Sequence, residues 1–145
     1  MKLISFTVPC YNSQSYMRKC VDSLLTGGDD VEIIIVNDGS KDDTINIANE
    51  YAEKYPSIVR VIDKENGGHG SGVNAGLRLA QGLYYKVVDS DDWLDEEALT
   101  KLIAKIKEHL EEGTVPDLYI TNFIYDHVLD NTRYVSAYID KLPQN

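Results

Sequence analysis

The sequence is poor in cysteine and has no long apolar run. Its 145 residues include only two cysteines, Cys10 and Cys20. These are too few for a disulfide framework, so we expect free thiols in a reducing cytoplasm, with Cys20 in the core. No apolar run reaches the roughly 18 residues that a transmembrane helix needs, and the strand-like start does not resemble a signal peptide. We therefore expect a cytoplasmic chain without a membrane span, while membrane association of a longer parent protein stays open.

Positive charge is also scarce. The 14 lysines and arginines are outnumbered by 24 aspartates and glutamates, which gives a net charge of −10. Such a chain repels nucleic acid and anionic lipid surfaces, so neither is an expected partner. A phosphate-bearing substrate would reach a carboxylate-rich site only with an intervening cation, which already indicates a metal.

Short β-branched runs alternate with amphipathic stretches along the chain. The runs predict strands at residues 3–8, 31–36, 58–62, 83–88 and 117–125, and an antiparallel strand at 133–139. The stretches predict helices at 13–25, 42–55 and 71–81, and a long helix capped by Asp95 and ended by Gly113. Their expected inward residues are Tyr16, Cys20 and Leu24; Ile45, Ala48, Ala52 and Tyr55; and Ala98, Leu99, Leu102, Ile103, Ile106 and Leu110. The alternation predicts an α/β fold with a mostly parallel sheet and helices on both faces, as a single domain over residues 1–145.

Unusual polar segments follow four of the predicted strands. They are Pro9-Cys10-Tyr11-Asn12, Asn37-Asp38-Gly39-Ser40, residues 65–72, and Asp89-Ser90-Asp91-Asp92. Because parallel strands end at the same edge of a sheet, all four segments project into one crevice, where open parallel sheets bind ligands. This convergence is stronger support for a site than any single motif.

The segment after the fourth strand has three carboxylates, Asp89, Asp91 and Asp92, within four residues. Like charges this close repel, so the cluster is costly unless a cation binds there. Carboxylate oxygens suit Mg²⁺ or Mn²⁺, whose open positions diphosphate oxygens can fill. The alternative is a solvated turn before a helix N-terminus, where carboxylates are also favoured.

Other residues at this edge suit a nucleotide base. Asp38 is either a turn aspartate or a carboxylate that accepts the imide N–H of a uracil. Tyr11 and Asn12 form a shelf for a base, or an Asn cap beside a core-facing Tyr, and these two interpretations are compatible. The shared crevice favours binding for Asp38.

The glycine-rich loop matches a second, different motif. Residues 70–75 fit the G-x-G-x-x-A dinucleotide fingerprint, but they follow neither the first strand nor any strand directly. We therefore reject dinucleotide binding and expect these glycines to let the backbone pass close to a sugar or diphosphate. His69 is a minor candidate ligand.

These segments resemble the four ordered blocks of family 2 glycosyltransferases with the GT-A fold. The resemblance extends from Val8 to Leu94, and its blocks are Val8-Pro9-Cys10-Tyr11-Asn12, Val36-Asn37-Asp38-Gly39-Ser40, Glu65-Asn66-Gly67-Gly68 with Asn74 downstream, and Asp89-Ser90-Asp91-Asp92-Trp93-Leu94. It implies that the chain binds a UDP-sugar donor through Mn²⁺ or Mg²⁺.

The resemblance also implies roles at the matching positions. The nucleotide-sugar would be bound by Pro9, Tyr11, Asn12, Asp38, Gly67, Asn74, Asp89 and Asp91. Asp38 would bind the uracil and Asp89 would face the ribose, while Asp91 would bind the metal with Asp92 as a second candidate. Val73 stands where the family commonly has an arginine before the asparagine, so a phosphate contact from that arginine is missing or moved.

Sugar transfer in this family is inverting, which implies direct displacement at the anomeric carbon with a carboxylate taking the acceptor's proton. That base lies well after the acidic motif. In this chain, Asp126, Asp130 and Asp140 follow the acidic motif, but none of them lies in a recognisable base motif. We therefore expect the base beyond residue 145. The chain is then a donor-binding fragment, inactive alone, of an enzyme with a saccharide or lipid-linked acceptor, as in surface polysaccharide synthesis.

Three other functions are alternatives. A sugar nucleotidyltransferase should carry a glycine-rich, basic signature after the first strand, where this chain has residues 9–12. A haloacid-dehalogenase-like phosphatase needs paired aspartates on the first strand, but here they follow the fourth. A non-catalytic nucleotide-sugar-binding module would lack the downstream base, and this alternative stays open.

Overall fold

The computed structural model describes residues 1–127, 129–138 and 141, and it contains two compact units, residues 1–108 and 109–145. The elements of the first unit are β1 (Ile4–Cys10), α1 (Met17–Leu25), a short 3-10 helix (Gly28–Asp30), β2 (Val31–Asp38), α2 (Thr44–Lys54), β3 (Val59–Lys64), α3 (His69–Leu79) and β4 (Tyr84–Val87). They are followed by α4 (Glu96–Glu112), β5 (Phe123–His127) and β6 (Thr132–Ser136).

Four parallel strands form the sheet of the first unit, in the order β3-β2-β1-β4. β1 and β2 are buried along their whole length, as expected for central strands of a parallel sheet. The chain runs from β1 to β2 to β3 in one direction along the sheet and returns to β4 on the other side of β1. Because crossovers between parallel strands are right-handed, α1 and α2 lie on one face and α3 lies on the other. The expected mostly parallel sheet with helices on both faces is therefore confirmed. The strand order changes direction at β1, because β2 lies on one side of it and β4 on the other.

Two glycines let α3 lie very close to β1. A Cβ added to Gly76 would lie 2.2 Å from Oγ1 of Thr7, and one added to Gly72 would lie 3.2 Å from Cβ of Pro9. Both glycines are buried inside the helix, which begins at His69 rather than at Ser71. Gly72 therefore serves the packing of α3 on the sheet, and only Gly67 and Gly68 are in the exposed loop before the helix.

A buried charge cluster closes the opposite, amino edge of the sheet. Oγ of Ser5 on β1 donates to Glu32 on β2, and Arg60 on β3 pairs with the same carboxylate at 2.8 Å. The N–H of Gly82 donates to Oγ of Ser5 at 2.7 Å. Burial by itself raises the pKa of Glu32, but its hydrogen bonds and Arg60 outweigh burial, so the pKa lies below its ordinary value. This cluster holds the strands together far from the polar loops.

The start of α1 differs from the prediction. The N–H of Ser13 donates to Oγ1 of Thr44, and its carbonyl accepts from the N–H groups of Tyr16 and Met17. Residues 14–16 therefore form a turn, and the helix begins at Met17, so Asn12 does not cap it. Tyr16 is exposed, so its assignment to the inward face was wrong, whereas Cys20 and Leu24 are buried as predicted.

The inward faces of two other helices also need correction. α2 buries Ala48 as predicted, but it also buries Ile47 and Tyr51, whereas Ile45, Ala52 and Tyr55 are only half-buried. The hydroxyl of Tyr51 holds this face inward, because it donates to Asp22 on α1 at 2.7 Å. In α4, Leu99, Ile103 and Ile106 are buried as predicted, but Ala98 is exposed. The predicted cap of α4 is confirmed, since Oδ1 of Asp95 accepts from the N–H of Ala98 at 2.8 Å.

The second unit contains a hairpin instead of a fifth parallel strand. β5 begins at Phe123, not at residue 117, and pairs with β6 in a separate two-stranded antiparallel sheet. The antiparallel sixth strand is confirmed over Thr132–Ser136, and residue 139 of its expected range is outside the described residues. Within the described part of the chain, no helix has both the length and the apolarity to span a membrane.

Candidate functional site

The four polar segments lie at one edge of the sheet, as predicted. They follow β1, β2, β3 and β4, which run parallel, so all four extend from the carboxyl ends of the strands. Cross-loop hydrogen bonds then join each segment to a neighbour, through Asn12 and Ser40, Gly68 and Asp38, and His69 and Asp89. The edge is therefore a connected set of loops and not four independent turns.

Asp38 is the buried centre of this edge. Its side chain is only 5% exposed and pairs with Nζ of Lys64, its partner in the β2–β3 ladder. The N–H groups of Gly67 and Gly68 donate to its two oxygens at 2.9 and 2.8 Å. Burial by itself raises the pKa of Asp38, but Lys64 and the two N–H groups outweigh it, so the pKa is lower than usual. Asp38 therefore stays ionised and holds the glycine loop in place.

The loop after β1 is exposed and braced against the loop after β2. Tyr11 is 49% exposed, which excludes a core-facing ring. Asn12 has a positive φ of 51°, its N–H donates to Oγ of Ser40 at 3.0 Å, and its side-chain carbonyl accepts from the N–H of Lys41 at 2.8 Å. Pro9, in contrast, is buried beneath Gly72. The Tyr11 ring is therefore available for stacking beside the Asp38 segment.

The glycine loop links Asp38 to the acidic turn. Gly68 is bound to Asp38, and the next residue, His69, has its Nε2 at 2.7 Å from Oδ1 of Asp89. Two consecutive residues thus join carboxylates from the ends of β2 and β4. His69 is only a minor candidate from the sequence, and no sequence pattern points to Lys64, because the contacts of both residues depend on strand register and loop path.

The acidic turn concentrates negative charge at this edge. Burial raises the pKa of Asp92, and the carboxylates of Asp91 and Asp89 raise it further. Among the described residues, no group of three or more His, Cys, Asp or Glu side chains forms a metal-binding cluster. Mg²⁺ and Mn²⁺ commonly take only one or two carboxylates and complete their shells with water and substrate phosphates. Exposed Asp91 and Asp92 fit such a partial donor set, since a cation would relieve the repulsion.

The acidic turn is also anchored from below. Oγ of Ser90 lies 2.9 Å from Oγ of Ser13, and the N–H of Leu94 donates to Oγ of Ser23 at 3.0 Å. The thiols of Cys10 and Cys20 are buried nearby, and burial raises the pKa of each to about 12. Both cysteines therefore stay neutral, which makes them poor nucleophiles and poor metal ligands.

Other residues singled out from the sequence lie elsewhere. Asn74 is exposed on α3, on the side of the helix away from Gly72 and Gly76, which face the sheet. In the second unit, Asp126 pairs with Arg133 at 3.2 Å, and Asp130 accepts from the N–H and hydroxyl of Thr132. Asp140 lies outside the described residues.

The comparison with known families matches most of the chain. The family described as Glycosyl transferase family 2 matches residues 5–141. The chain belongs to the family 2 glycosyltransferases. It is 36% identical over 140 residues to glycosyltransferase GlyA of Streptococcus pneumoniae serotype 4, covering 93% of this chain and 20% of that protein. It is 39% identical over 121 residues to the chondroitin synthase of Pasteurella multocida, covering 83% of this chain and 12% of the synthase.

Solved structures support the same assignment for this family 2 glycosyltransferase. S. aureus TarS 1–349 in complex with UDP superposes with a TM-score of 0.66 at 35% identity, covering 76% of this chain and 33% of TarS 1–349. The GT-A fold expected from the sequence is confirmed. The chain spans between about an eighth and a third of the proteins described here.

Proposed function

We propose that this family 2 glycosyltransferase chain binds a UDP-sugar donor through a divalent cation. The observation that carries the proposal is the set of contacts that joins Asp38, the glycine loop and Asp89 at the carboxyl edge of the sheet. In this arrangement Asp38 would recognise the base and the acidic turn would hold the cation and diphosphate, at the same edge of the sheet.

The nucleotide base would bind at the ends of β1 and β2. Tyr11 offers an exposed ring for stacking, and Asn12 is fixed by Ser40 and Lys41. Asp38 accepts three hydrogen bonds, so its carboxylate has capacity for one further donor such as a uracil imide N–H. TarS, at 32–35% identity, was solved with UDP and with UDP-GlcNAc, which supports uridine as the nucleoside.

The ribose and diphosphate would bind at the glycine loop and the acidic turn. Asp89, oriented by His69, would face the ribose, and Asp91 and Asp92 would hold Mn²⁺ or Mg²⁺. When bound, the cation neutralises charge on the departing diphosphate. Gly67 and Asn74 remain candidates on the donor side, and no arginine precedes Asn74 to neutralise the phosphates.

The transfer itself would be an inverting displacement at the anomeric carbon by an acceptor hydroxyl. The general base would come from parts of the enzyme outside these residues, because Asp126 and Asp130 are engaged in the hairpin. The acceptor would be a growing saccharide or a lipid-linked saccharide, which the relationship to a chondroitin synthase supports.

Calorimetry with UDP in the presence and absence of Mn²⁺ tests the proposal. We expect micromolar binding with Mn²⁺ that weakens at least about tenfold after chelation, since the cation bridges two anions. GDP and CDP serve as base controls and should bind more weakly. A chain that is folded by circular dichroism but gives no metal-dependent heat would contradict the proposal. Measurable sugar transfer by these 145 residues alone would contradict the assignment of the base to another region.

A further inference from the structure

A buried pair of hydroxyls joins the first loop to the acidic turn. Oγ of Ser13 lies 2.9 Å from Oγ of Ser90, and the two residues are 0% and 8% exposed. The N–H of Ser13 is also fixed, since it donates to Oγ1 of Thr44 at 2.8 Å. Serine is usually exposed in proteins, and burying a hydroxyl is unfavourable unless it is hydrogen-bonded. Two serines that satisfy each other in a buried place therefore form a specific connection.

This connection lies where backbone pairing has stopped. The ladder between β1 and β2 continues to Cys10 and Asn37, at the start of the polar loops. The ladder between β1 and β4 ends earlier, at Thr7 and Val87, with one more bond from the N–H of Val88 to the carbonyl of Thr7. Beyond that bond, no backbone hydrogen bond of the described residues joins the acidic turn to the first loop. The Ser13–Ser90 hydrogen bond spans this gap.

The two sides of the gap would hold different parts of one ligand. Tyr11 and Asn12, on the first loop, are the proposed base contacts, and Ser90 stands between Asp89 and Asp91 in the acidic turn. A small displacement of the turn would change the spacing between the base contacts and the carboxylates, and a bound diphosphate tolerates little change in that spacing.

We propose that Ser13 and Ser90 are positioning residues that hold the acidic turn in register with the base-binding loop. They do not touch the donor. They act by keeping the carboxylates of the turn at the correct distance from Tyr11 and Asn12. This inference rests on the proposed UDP-sugar site, and it assigns a role in donor affinity to two residues that are not among the expected contacts of the nucleotide-sugar or the metal.

A double-mutant cycle in UDP affinity tests the inference, with calorimetry in saturating Mn²⁺ on Ser13→Ala, Ser90→Ala and the double variant. Each single change should weaken UDP binding about three- to tenfold, the range expected for one buried neutral hydrogen bond. The double variant should bind UDP no more weakly than the single variant with the lower UDP affinity, because either change already breaks the Ser13–Ser90 hydrogen bond. Additive losses, or unchanged affinity, would overturn the inference.

Ser5 provides the matched control. It is a fully buried serine on β1, and its Oγ is hydrogen-bonded to Glu32 and to the N–H of Gly82 at the opposite edge of the sheet. Ser5→Ala should lower stability and leave UDP affinity unchanged. If Ser5→Ala weakens UDP binding as much as Ser90→Ala does, the effect is general destabilisation and the inference fails.

Two further results separate a failure of the proposed function from a failure of the inference alone. If the unmodified chain binds no UDP, the proposed function fails and the inference fails with it. If the unmodified chain binds UDP and the serine variants bind equally well, only the inference fails. Should an alanine variant not fold, Ser90→Cys keeps the unbranched shape of the side chain, with a larger sulfur atom and a weaker hydrogen bond. A folded Ser90→Cys chain with reduced UDP affinity supports the inference, and unchanged affinity overturns it.

Discussion

Nε2 of His69 lies 2.7 Å from Oδ1 of Asp89, while the residue before it, Gly68, is bound to Asp38. This relationship makes the glycine loop a bridge between the carboxylates at the ends of β2 and β4. Both partners of the histidine contact are more than half exposed. The contact is therefore a means of orienting Asp89 and not a major source of stability.

Replacing His69 should weaken donor binding slightly. His69→Ala is expected to lower UDP affinity about two- to fivefold, because an exposed pair contributes less than about 1 kcal/mol. Isothermal titration in Mn²⁺ measures the change. Arg18→Ala is the matched control, since it removes an exposed pair with Glu50 at 2.7 Å between α1 and α2. Equal effects of the two changes on UDP affinity would show that His69 has no specific role.

Neutralising Asp38 should cost stability in a pH-dependent way. At pH 7 we expect Asp38→Asn to lower the free energy of unfolding by about 1–3 kcal/mol, because Lys64 and the two glycine N–H groups lose a buried anionic acceptor. The pKa of Asp38 is lowered in the folded chain, so its stabilisation is present above about pH 4 and is lost as the pH falls below that.

Urea unfolding between pH 7 and pH 3 measures this dependence. The stability difference between the unmodified chain and Asp38→Asn should shrink as the pH falls below about 4. Asp29→Asn makes the same chemical change at an exposed position of the amino edge and should have almost no effect. A difference that stays constant down to pH 3 would contradict the lowered pKa.

The acidic turn should be needed for the metal response. Asp91→Asn and Asp92→Asn are each expected to weaken UDP binding in Mn²⁺ by about tenfold or more. Each change would thereby remove most of the increase in UDP affinity that Mn²⁺ produces. Without metal, neither change should lower the melting temperature, because the carboxylates of the turn repel one another. Thermal melts and UDP titrations with Mn²⁺ or EDTA check both effects.

Glu97→Gln is the control for this experiment. It removes the same charge from the first turn of α4, where Glu97 is exposed and paired with Lys101. It should leave the Mn²⁺ response intact. If Glu97→Gln and Asp91→Asn reduce the response equally, the effect is one of overall charge and the turn is not the metal site.

The close contact of α3 with β1 should make Gly76 intolerant of a side chain. Gly76→Ala would bring a Cβ to 2.2 Å from Oγ1 of Thr7, so we expect a loss of about 1–3 kcal/mol or more in unfolding free energy. Gly70→Ala, in the same helix, meets nothing within 4 Å and should gain about 0.5–1 kcal/mol. Chemical denaturation measures both variants, and a tolerated Gly76→Ala would contradict the packing described here.

Much of the first unit could be predicted from the sequence because its signals are local. β2 carries an apolar run that only a central strand can bury, and the polar segments that follow β1 and β2 mark the strand ends. The predicted helix boundaries and faces were less accurate. α1 begins late because Ser13 is bound to Thr44, and α2 turns Tyr51 inward because of Asp22, and both partners are distant in sequence.

The sequence by itself determined the order of the elements and the types of residue at each strand end, since hydrophobic pattern and turn chemistry act over a few residues. Which side chains meet was decided only by the tertiary structure. Lys64 lies opposite Asp38 because of the parallel register of β2 and β3, and Ser13 reaches Ser90 across 77 positions because β4 lies beside β1. Register and strand order are set by the packing of the whole sheet, so no local pattern could specify these pairs.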